Sequence, residues 1–336
     1  MSELVLVDDT APAARLEDRP RRHERVVAGN VEMAVTQYDG PGHPLVLING
    51  LGTHQQMWNP LVAGLTTSKV VTFDFPGIGR SHVLGVPQSM SGFASLVERV
   101  VDDLGLEQPD LLGYSFGGMV AQEFAHTRPD RVRRLTLVGT APGVGAVVGY
   151  PSAMLALATP MRYYSRTFYK WTQRFLAGGE IERSPEFLQR TAELRKLYRP
   201  HPVTYYSQLY ACQTWSSLPW LDTVQTPTLV VHGTDDPIIP FANAQLMAQT
   251  LPNARLYTAS TEGHLFMQDA NSRAIPAIHE FVSADDYRKS SSWLEGTPDE
   301  ATAVRDSIRR SDLRSLQPLG LYNQTVRGLM KPTARR

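Results

Sequence analysis

The sequence predicts an α/β fold in which a mostly parallel central sheet carries helices on both faces and an inserted helical lid. Two observations support this prediction. Short apolar runs bounded by turn residues alternate with helical stretches along most of the chain, as in parallel strands joined by helical crossovers. The alternation fails once, between about residues 141 and 221, where a helical stretch rich in Tyr, Trp, Arg and Leu intervenes.

The elements follow from N- to C-terminus. A hairpin is predicted first, with residues 25–28 and 31–38 joined by a Gly29-Asn30 turn. The apolar runs that predict buried strands are residues 44–48, 69–73, 110–113, 134–138, 228–231 and, more weakly, 255–257. Apolar residues at helical spacing predict helices over residues 55–65, 90–104, 117–127, 243–251 and 274–281. The predicted core therefore combines residues 25–140 and 222–283, and residues 141–221 form the lid insertion.

Both ends of the chain are polar. Residues 1–24 are predicted to be a disordered leader, since acidic residues are followed by a basic run without an apolar stretch. Residues 284–336 are predicted to be a polar tail that is partly helical or disordered, with an amphipathic helix near residues 298–313 as the helical alternative.

Bulk properties narrow the function classes. The 336 residues carry a formal net charge of zero, so there is no electrostatic reason to expect a nucleic-acid partner. The N-terminus lacks the pattern of a signal peptide, and no segment approaches the roughly 18 consecutive apolar residues of a transmembrane helix. With a single cysteine, Cys212, the chain is expected in the cytoplasm. The oligomeric state stays open.

The strongest local signal is the segment GYSFGG at residues 113–118, between a predicted strand and a predicted helix. Small neighbours allow a sharp strand-to-helix turn that presents Ser115 as a nucleophile. This turn is typical of the α/β-hydrolase fold, in which an acid and then a histidine follow the serine.

The acid and the base are predicted from that order. Asp235 and Asp236 follow the strand at residues 228–231, and His264 follows the last strand. We predict Asp236 as the acid, with Asp235 as the alternative, and His264 as the base. Of the other histidines, His54 and His82 could line the cleft.

An oxyanion hole needs two backbone N–H groups. The N–H of Phe116, directly after the nucleophile, and that of Leu51, in the loop after the first parallel strand, are predicted to supply them. No His, Cys, Asp and Glu grouping has zinc-site spacing. The segment DFPGIGRS at residues 74–81 lacks the endings of nucleotide-binding loops. Neither a metal nor a cofactor is therefore expected.

From about residue 44 to residue 267 the chain resembles the α/β-hydrolase superfamily, and more narrowly the intracellular depolymerases of medium-chain-length poly(3-hydroxyalkanoate). The similar segments are NGLG at 49–52, FDFPGIG at 73–79, AQEFAH at 121–126, YYSQLY at 205–210, TWSS at 214–217 and GHLF at 263–266. The family's triad falls on Ser115, Asp236 and His264. Phe116 departs from the family pattern, in which Trp is expected after the nucleophile.

The resemblance implies a Ser-His-Asp ester hydrolase that acts on medium-chain polyester, with the polymer granule surface as partner. Substrate contacts are expected at Asn49, Tyr205, Tyr206, Trp215 and Phe266. Aromatic side chains of the lid are expected to provide an apolar acyl pocket. The alternatives are a general carboxylesterase, a thioesterase or a carbon–carbon bond hydrolase of the same fold, and a non-catalytic hydrolase-fold binding protein.

Overall fold

The computed structural model describes residues 16, 19–28, 31–179 and 184–296. Within these residues eight strands form one sheet in the order β1-β2-β4-β3-β5-β6-β7-β8. The strands are β1 Arg21–Ala28, β2 Val31–Tyr38, β3 Pro44–Ile48, β4 Lys69–Phe73, β5 Asp110–Tyr114, β6 Leu135–Val138, β7 Thr228–Gly233 and β8 Ala254–Ala259. β2 pairs antiparallel with β1 and with β4, and the remaining neighbours are parallel. The predicted mostly parallel sheet is confirmed.

The described residues also contain eleven α-helices. They are α1 Asn59–Gly64, α2 Met90–Asp103, α3 Phe116–Thr127, α4 Pro151–Leu157, α5 Met161–Tyr164, α6 Arg166–Leu176, α7 Pro185–Leu197, α8 Pro202–Thr214, α9 Ala242–Thr250, α10 Ala274–Ser283 and α11 Ser291–Glu295. A 3₁₀ turn, Gln55–Trp58, precedes α1, so the helix predicted over residues 55–65 is two short elements.

Each face of the sheet carries its own apolar core. Val46 and Ile48 of β3 belong to one core, which they share with α2, α3 and α9. Leu45 and Leu47, which alternate with them, belong to the other core, together with α1 and α10. Alternate side chains of a strand point to opposite faces. A strand buried on both sides therefore reads as a continuous apolar run, and the predicted helical cover on both faces is confirmed.

The predicted leader boundary at residue 24 is wrong by four residues, because β1 begins at Arg21 and pairs along its whole length with β2. β1 lies at the edge of the sheet, and its Arg21, Arg22 and Arg25 side chains are exposed. Charged side chains protect edge strands from pairing with other chains. The strand is therefore as polar as a disordered leader, and its composition does not distinguish the two. The other residues of the predicted leader are residue 16, residues 19 and 20, and positions outside the described residues.

Five helices, α4 to α8, lie between β6 and β7, in the stretch that the sequence assigned to the lid. At the other end, the tail predicted from residue 284 begins too early. Trp293 of α11 is only 6% exposed and stacks on Phe281 of α10, with ring centroids 5.8 Å apart. A large buried aromatic side chain contributes strongly to core packing, so this polar segment is part of the folded unit. The helix predicted near residues 298–313 lies outside the described residues.

No helix in the described ranges combines the length and apolar character that crossing a bilayer requires.

Candidate active site

Ser115 occupies the turn between β5 and α3 with φ 54° and ψ −116°. A positive φ is unfavourable for a residue with a side chain, so the surrounding backbone must hold it in place. A Cβ on Gly117 would lie 2.1 Å from the Ile48 carbonyl oxygen, and one on Gly113 would lie 2.3 Å from the Gly117 carbonyl oxygen. These close approaches require glycine on both sides of the serine.

The loops after β7 and β8 bring an acid and a histidine to this serine. His264 Nε2 lies 3.2 Å from Ser115 Oγ, and His264 Nδ1 lies 2.6 Å from Asp236 Oδ2. Asp236 and His264 are only 5% and 4% exposed. The three residues predicted from chain order therefore meet at the carboxyl ends of parallel strands, where open α/β sheets bind ligands.

Asp236 is held in its ionised form. Its Oδ1 accepts hydrogen bonds from the backbone N–H groups of Ile238 and Ile239, at 2.8 and 2.9 Å. Burial alone would raise the pKa of this carboxyl, but interactions with His264 and His232 outweigh burial and hold the pKa below its usual range. Asp235, the alternative acid, is exposed, and its Oδ1 accepts from the Thr234 hydroxyl. The geometry therefore favours Asp236.

A second histidine contacts the same carboxylate. His232 Nε2 lies 3.3 Å from Asp236 Oδ2 and 2.8 Å from the Ile239 carbonyl oxygen, and its side chain is fully buried. His232 is not among the site residues predicted from the sequence. The available signal is its position in β7, four residues before Asp236, which places both side chains at one edge of the sheet.

The two histidines expected as candidates for the cleft lie elsewhere. His54 packs against Tyr198, with ring centroids 4.8 Å apart, and burial lowers its pKa to about 4. His82 is exposed beside Glu32. Neither lines the cavity that contains Ser115.

That cavity opens to solvent and spans about 480 Å³, a volume that includes the solvent in its mouth. Its walls are formed by Leu51, Thr53, Tyr114, Ser115, Leu157, Arg162, Tyr163, Gln173, Leu176, Arg195, Ile238, His264 and Leu265. Within the described residues, the N–H groups of Leu51 and Phe116 donate to no protein acceptor, as an oxyanion hole requires. The Phe116 ring points into the core, edge-on to Phe75 and Phe93, so the departure from Trp changes core packing beside Ser115.

The five positions expected to contact substrate lie outside the cavity wall. Asn49 is fully buried, and its amide bonds the Phe73 carbonyl and the Trp58 indole. Phe266 lies in the apolar core under α10. The Asn49 side chain is therefore engaged in hydrogen bonds within the protein, and the Phe266 side chain is engaged in core packing.

The remaining three of these residues lie in the insertion. Tyr205 donates to the Leu157 carbonyl oxygen at 2.6 Å, Tyr206 is exposed, and Trp215 donates to Glu123 at 2.7 Å. Of the many aromatic side chains of the insertion, Tyr163 is the one that lines the cavity in the described structure. The aromatic residues mainly form the packing of the insertion itself, which residue type alone does not reveal.

Sequence reasoning missed three polar side chains of the cavity wall. Arg162, Gln173 and Arg195 are all more than nine-tenths buried. A signal was present for Arg195, because helical spacing places it on the same face of α7 as Phe187 and Thr191. A charged residue on the buried face of a helix indicates a special environment.

Within the described part of the chain, no group of three or more His, Cys, Asp or Glu side chains could hold a metal ion.

Comparison with known proteins gives consistent matches. The family model described as the α/β hydrolase fold matches residues 43–270. A poly(3-hydroxyalkanoate) depolymerase from Ectopseudomonas oleovorans is 35% identical, over 73% of this chain and 86% of the relative. A 2-hydroxy-6-oxo-2,4-heptadienoate hydrolase from Pseudomonas putida is 27% identical, over 78% and 96% respectively. The structure of an esterase from Exiguobacterium antarcticum superposes with a TM-score of 0.68 at 20% identity, covering 78% of this chain and all of that one, a likeness of fold alone.

Proposed function

The chain belongs to the α/β-hydrolase fold family, and from this premise we propose that it is a serine esterase that depolymerises medium-chain poly(3-hydroxyalkanoate). One observation carries the proposal. Asp236, His264 and Ser115 form a continuous hydrogen-bonded chain that ends at the wall of a cavity. A serine hydroxyl is a weak nucleophile that needs a base, and the base needs an orienting partner.

In the first step Ser115 attacks the ester carbonyl while His264 Nε2 takes its proton. Ionised Asp236, bonded to His264 Nδ1, fixes the tautomer and stabilises the imidazolium. The N–H groups of Leu51 and Phe116 hold the oxyanion, and loss of one such donor typically costs about 10² to 10³ in rate.

In the second step the imidazolium gives its proton to the leaving alcohol, and the acyl group remains on Ser115. His264 then deprotonates a water molecule that attacks the acyl-enzyme, which releases the acid and restores the serine. His232, whose Nε2 lies 3.3 Å from the same Oδ2 oxygen of Asp236, helps to keep that carboxylate ionised and in place.

The polyester substrate is supported by the relative that is 35% identical, a poly(3-hydroxyalkanoate) depolymerase. On this proposal α4 to α8 act as a lid over the acyl chain. Leu157, Tyr163 and Leu176 supply the apolar wall, and the granule surface presents the polymer. The cytoplasmic location stays a prediction from the sequence.

The test combines labelling with a substrate profile. A fluorophosphonate should label the wild-type protein at Ser115 and fail to label Ser115→Ala, which should keep its circular dichroism spectrum and lose hydrolysis of nitrophenyl esters. Octanoyl ester should be preferred to acetyl ester, and a medium-chain polyester emulsion should clear.

The possible results separate the parts of the proposal. Hydrolysis with a preference for acetyl ester and no clearing would keep the esterase and reject the depolymerase. Absence of labelling in folded wild-type protein would reject both and favour a binding protein.

A further inference from the structure

Two arginine side chains are buried in the wall of the cavity that contains Ser115. Arg162 and Arg195 are 6% and 7% exposed, and both line that cavity. None of the other residues of its wall is an aspartate or a glutamate. In the described residues neither arginine forms an ion pair. The cavity therefore carries two positive charges without a protein counter-ion.

Arg162 is fixed in position by tyrosines. It donates to the hydroxyl of Tyr205 at 2.6 Å and to that of Tyr163 at 3.3 Å. Its guanidinium lies 4.7 Å from the ring centroid of Tyr163 and 5.2 Å from that of Tyr205. Tyrosine hydroxyls and ring faces orient a guanidinium without neutralising it. The positive charge thus remains available to a ligand.

Arg195 has fewer partners still. Its guanidinium lies 5.3 Å from the ring centroid of Tyr163 and 5.4 Å from that of Tyr169. Its Nε is buried without a hydrogen-bond partner among the described residues. A guanidinium carries five N–H donors, and leaving even one of them unpaired in a buried site destabilises the fold. Such an arrangement is expected where a bound group completes the hydrogen bonds.

Gln173 adds a neutral polar group to the same wall. It is 3% exposed, and its Oε1 has no hydrogen-bond partner in the described structure. The cavity thus offers a serine nucleophile at one wall, and two oriented cations and an amide at other positions of its wall. Carboxylate and phosphate both match the planar fork of a guanidinium, and of the two it is carboxylate that occurs in polyester fragments.

We propose that Arg195 and Arg162 bind the free carboxylate of the substrate, so that the enzyme prefers hydroxyacid oligomers with an ionised carboxyl end over neutral esters. This inference rests on the proposed function, because it assigns the substrate class of the same site. Cleavage at the chain end releases a 3-hydroxy acid. Its alkoxide takes the proton from His264, and its carboxylate is the group that the arginines hold.

The experiment compares two substrates that differ only in charge: the linear dimer of 3-hydroxyoctanoate and the methyl ester of that dimer. Release of 3-hydroxyoctanoate, or of its methyl ester, is followed by chromatography at pH 8. We expect kcat/KM of the wild type to favour the free acid by about 10-fold or more, as charge-assisted hydrogen bonds imply. A ratio near one, in enzyme that hydrolyses nitrophenyl octanoate, would overturn the inference and leave the proposed function intact.

Variants assign the preference to the cavity. Arg195→Met should bring the ratio of the two kcat/KM values close to one, and Arg195→Lys, which keeps the charge but loses the fork, should give an intermediate ratio. Lys196→Met removes the same charge from the neighbouring, exposed position of α7 and should keep the wild-type ratio. An equal loss of ratio in Lys196→Met would indicate long-range electrostatics and contradict a specific site.

A binding measurement separates this inference from failure of the catalytic proposal. In Ser115→Ala, 3-hydroxyoctanoate should raise the melting temperature, since a ligand that binds the native state stabilises it. Its methyl ester should raise it less, and the Ser115→Ala/Arg195→Met protein should not distinguish the two. If no ester is hydrolysed and Ser115 is not labelled, the proposed function fails, whereas this binding difference still decides the carboxylate site. Equal shifts for the acid and its methyl ester would reject the site.

Discussion

At the scale of single residues, the sequence alone does not decide which of the neighbouring carboxylates, Asp235 or Asp236, is the partner of His264. Both follow β7, and chain order permits either one as the partner of His264. The backbone after Asp236 decides between them, because it turns back so that two N–H groups bond Oδ1 and leave Oδ2 facing His264. Local hydrogen bonding of this kind is not encoded in residue spacing.

We predict that Asp236→Asn lowers kcat for nitrophenyl octanoate by about 10⁴. Without the orienting carboxylate, the histidine of a triad adopts the wrong tautomer. Asp235→Asn is the matched control, because this neighbouring carboxylate is exposed, and kcat should stay within about twofold of wild type, since surface changes are usually mild. Steady-state kinetics on both variants measures the effect. A larger loss in Asp235→Asn than in Asp236→Asn would reverse the assignment of the acid.

The substrate-facing residues were harder to predict than the triad. Motif position and chain order predicted Ser115 and His264, because the proposed chemistry demands those residue types at those places. No such demand distinguishes an aromatic side chain that packs the insertion from one that faces substrate. Arg195 was not predicted as a cavity residue for a related reason. A charged residue on a helix is ordinarily assigned to the solvated face.

At the scale of elements, strand ends were predicted best where turn residues lie directly on both sides of a short run. β3 and β4 have the predicted ends, because turn residues bound a continuous apolar run. β8 extends beyond its prediction, to Ala254–Ala259. This strand lies at the open edge of the sheet, where one side lacks a partner strand and polar residues are tolerated. β1 is the other edge strand of the sheet, and its apolar pattern is weak for the same reason.

The loop after β4 contains an element-scale feature that the sequence did not reveal. Asp74 is fully buried and accepts hydrogen bonds from the backbone N–H and the side-chain amide of Gln55, at 2.7 and 3.1 Å. It thereby joins the loop after β4 to the turn before α1. Burial raises the pKa of Asp74 from 3.8 to about 6, although the Gln55 hydrogen bonds oppose the shift.

A pH dependence of stability follows. Between pH 3.8 and about 6 the native protein binds a proton at Asp74 that the unfolded chain does not, so the free energy of unfolding contributed by this group falls as pH rises through that window. We predict that the difference in unfolding free energy between wild type and Asp74→Asn declines by at most about 3 kcal/mol from pH 4 to pH 6. Urea unfolding of both proteins at several pH values measures it.

The comparison with Asp74→Asn is necessary because His54 acts in the opposite sense. Burial lowers the pKa of His54 from 6.5 to about 4, so its contribution to stability rises with pH over that range. His54 is present in both proteins and cancels in the difference. A difference that is constant with pH would show that Asp74 titrates normally in the fold.

At the scale of the whole molecule, the two cores and the insertion could be predicted in outline from the period of apolar residues, but the limits of the folded unit could not. The C-terminal limit depends on contacts that are distant in sequence. Arg134, beside β6, donates to the carbonyl oxygens of Ala284 and Asp285 at 2.6 and 3.1 Å. These bonds hold the segment after α10, so that Trp293 can pack on Phe281.

We therefore predict that the folded unit extends to residue 296 and does not end at residue 283. A chain ending at Ser283 lacks Trp293 and leaves Arg134 without two of its acceptors. Its unfolding free energy should fall by about 3–5 kcal/mol or more, the usual cost of removing a buried tryptophan side chain. Trp293→Ala in the full chain should reproduce most of that loss.

A chain ending at Gly296 keeps these contacts and provides the control. It should match the full-length protein in urea midpoint and in fluorophosphonate labelling of Ser115, because the described cores and the Ser115 cavity are built from residues up to 296. Equal stability of the two truncated chains would mean that α11 lies on the surface without stabilising the fold. Loss of folding in both would place an essential contact after residue 296. Only a loss confined to the shorter chain agrees with an aromatic anchor at Trp293 that completes the core beneath α10.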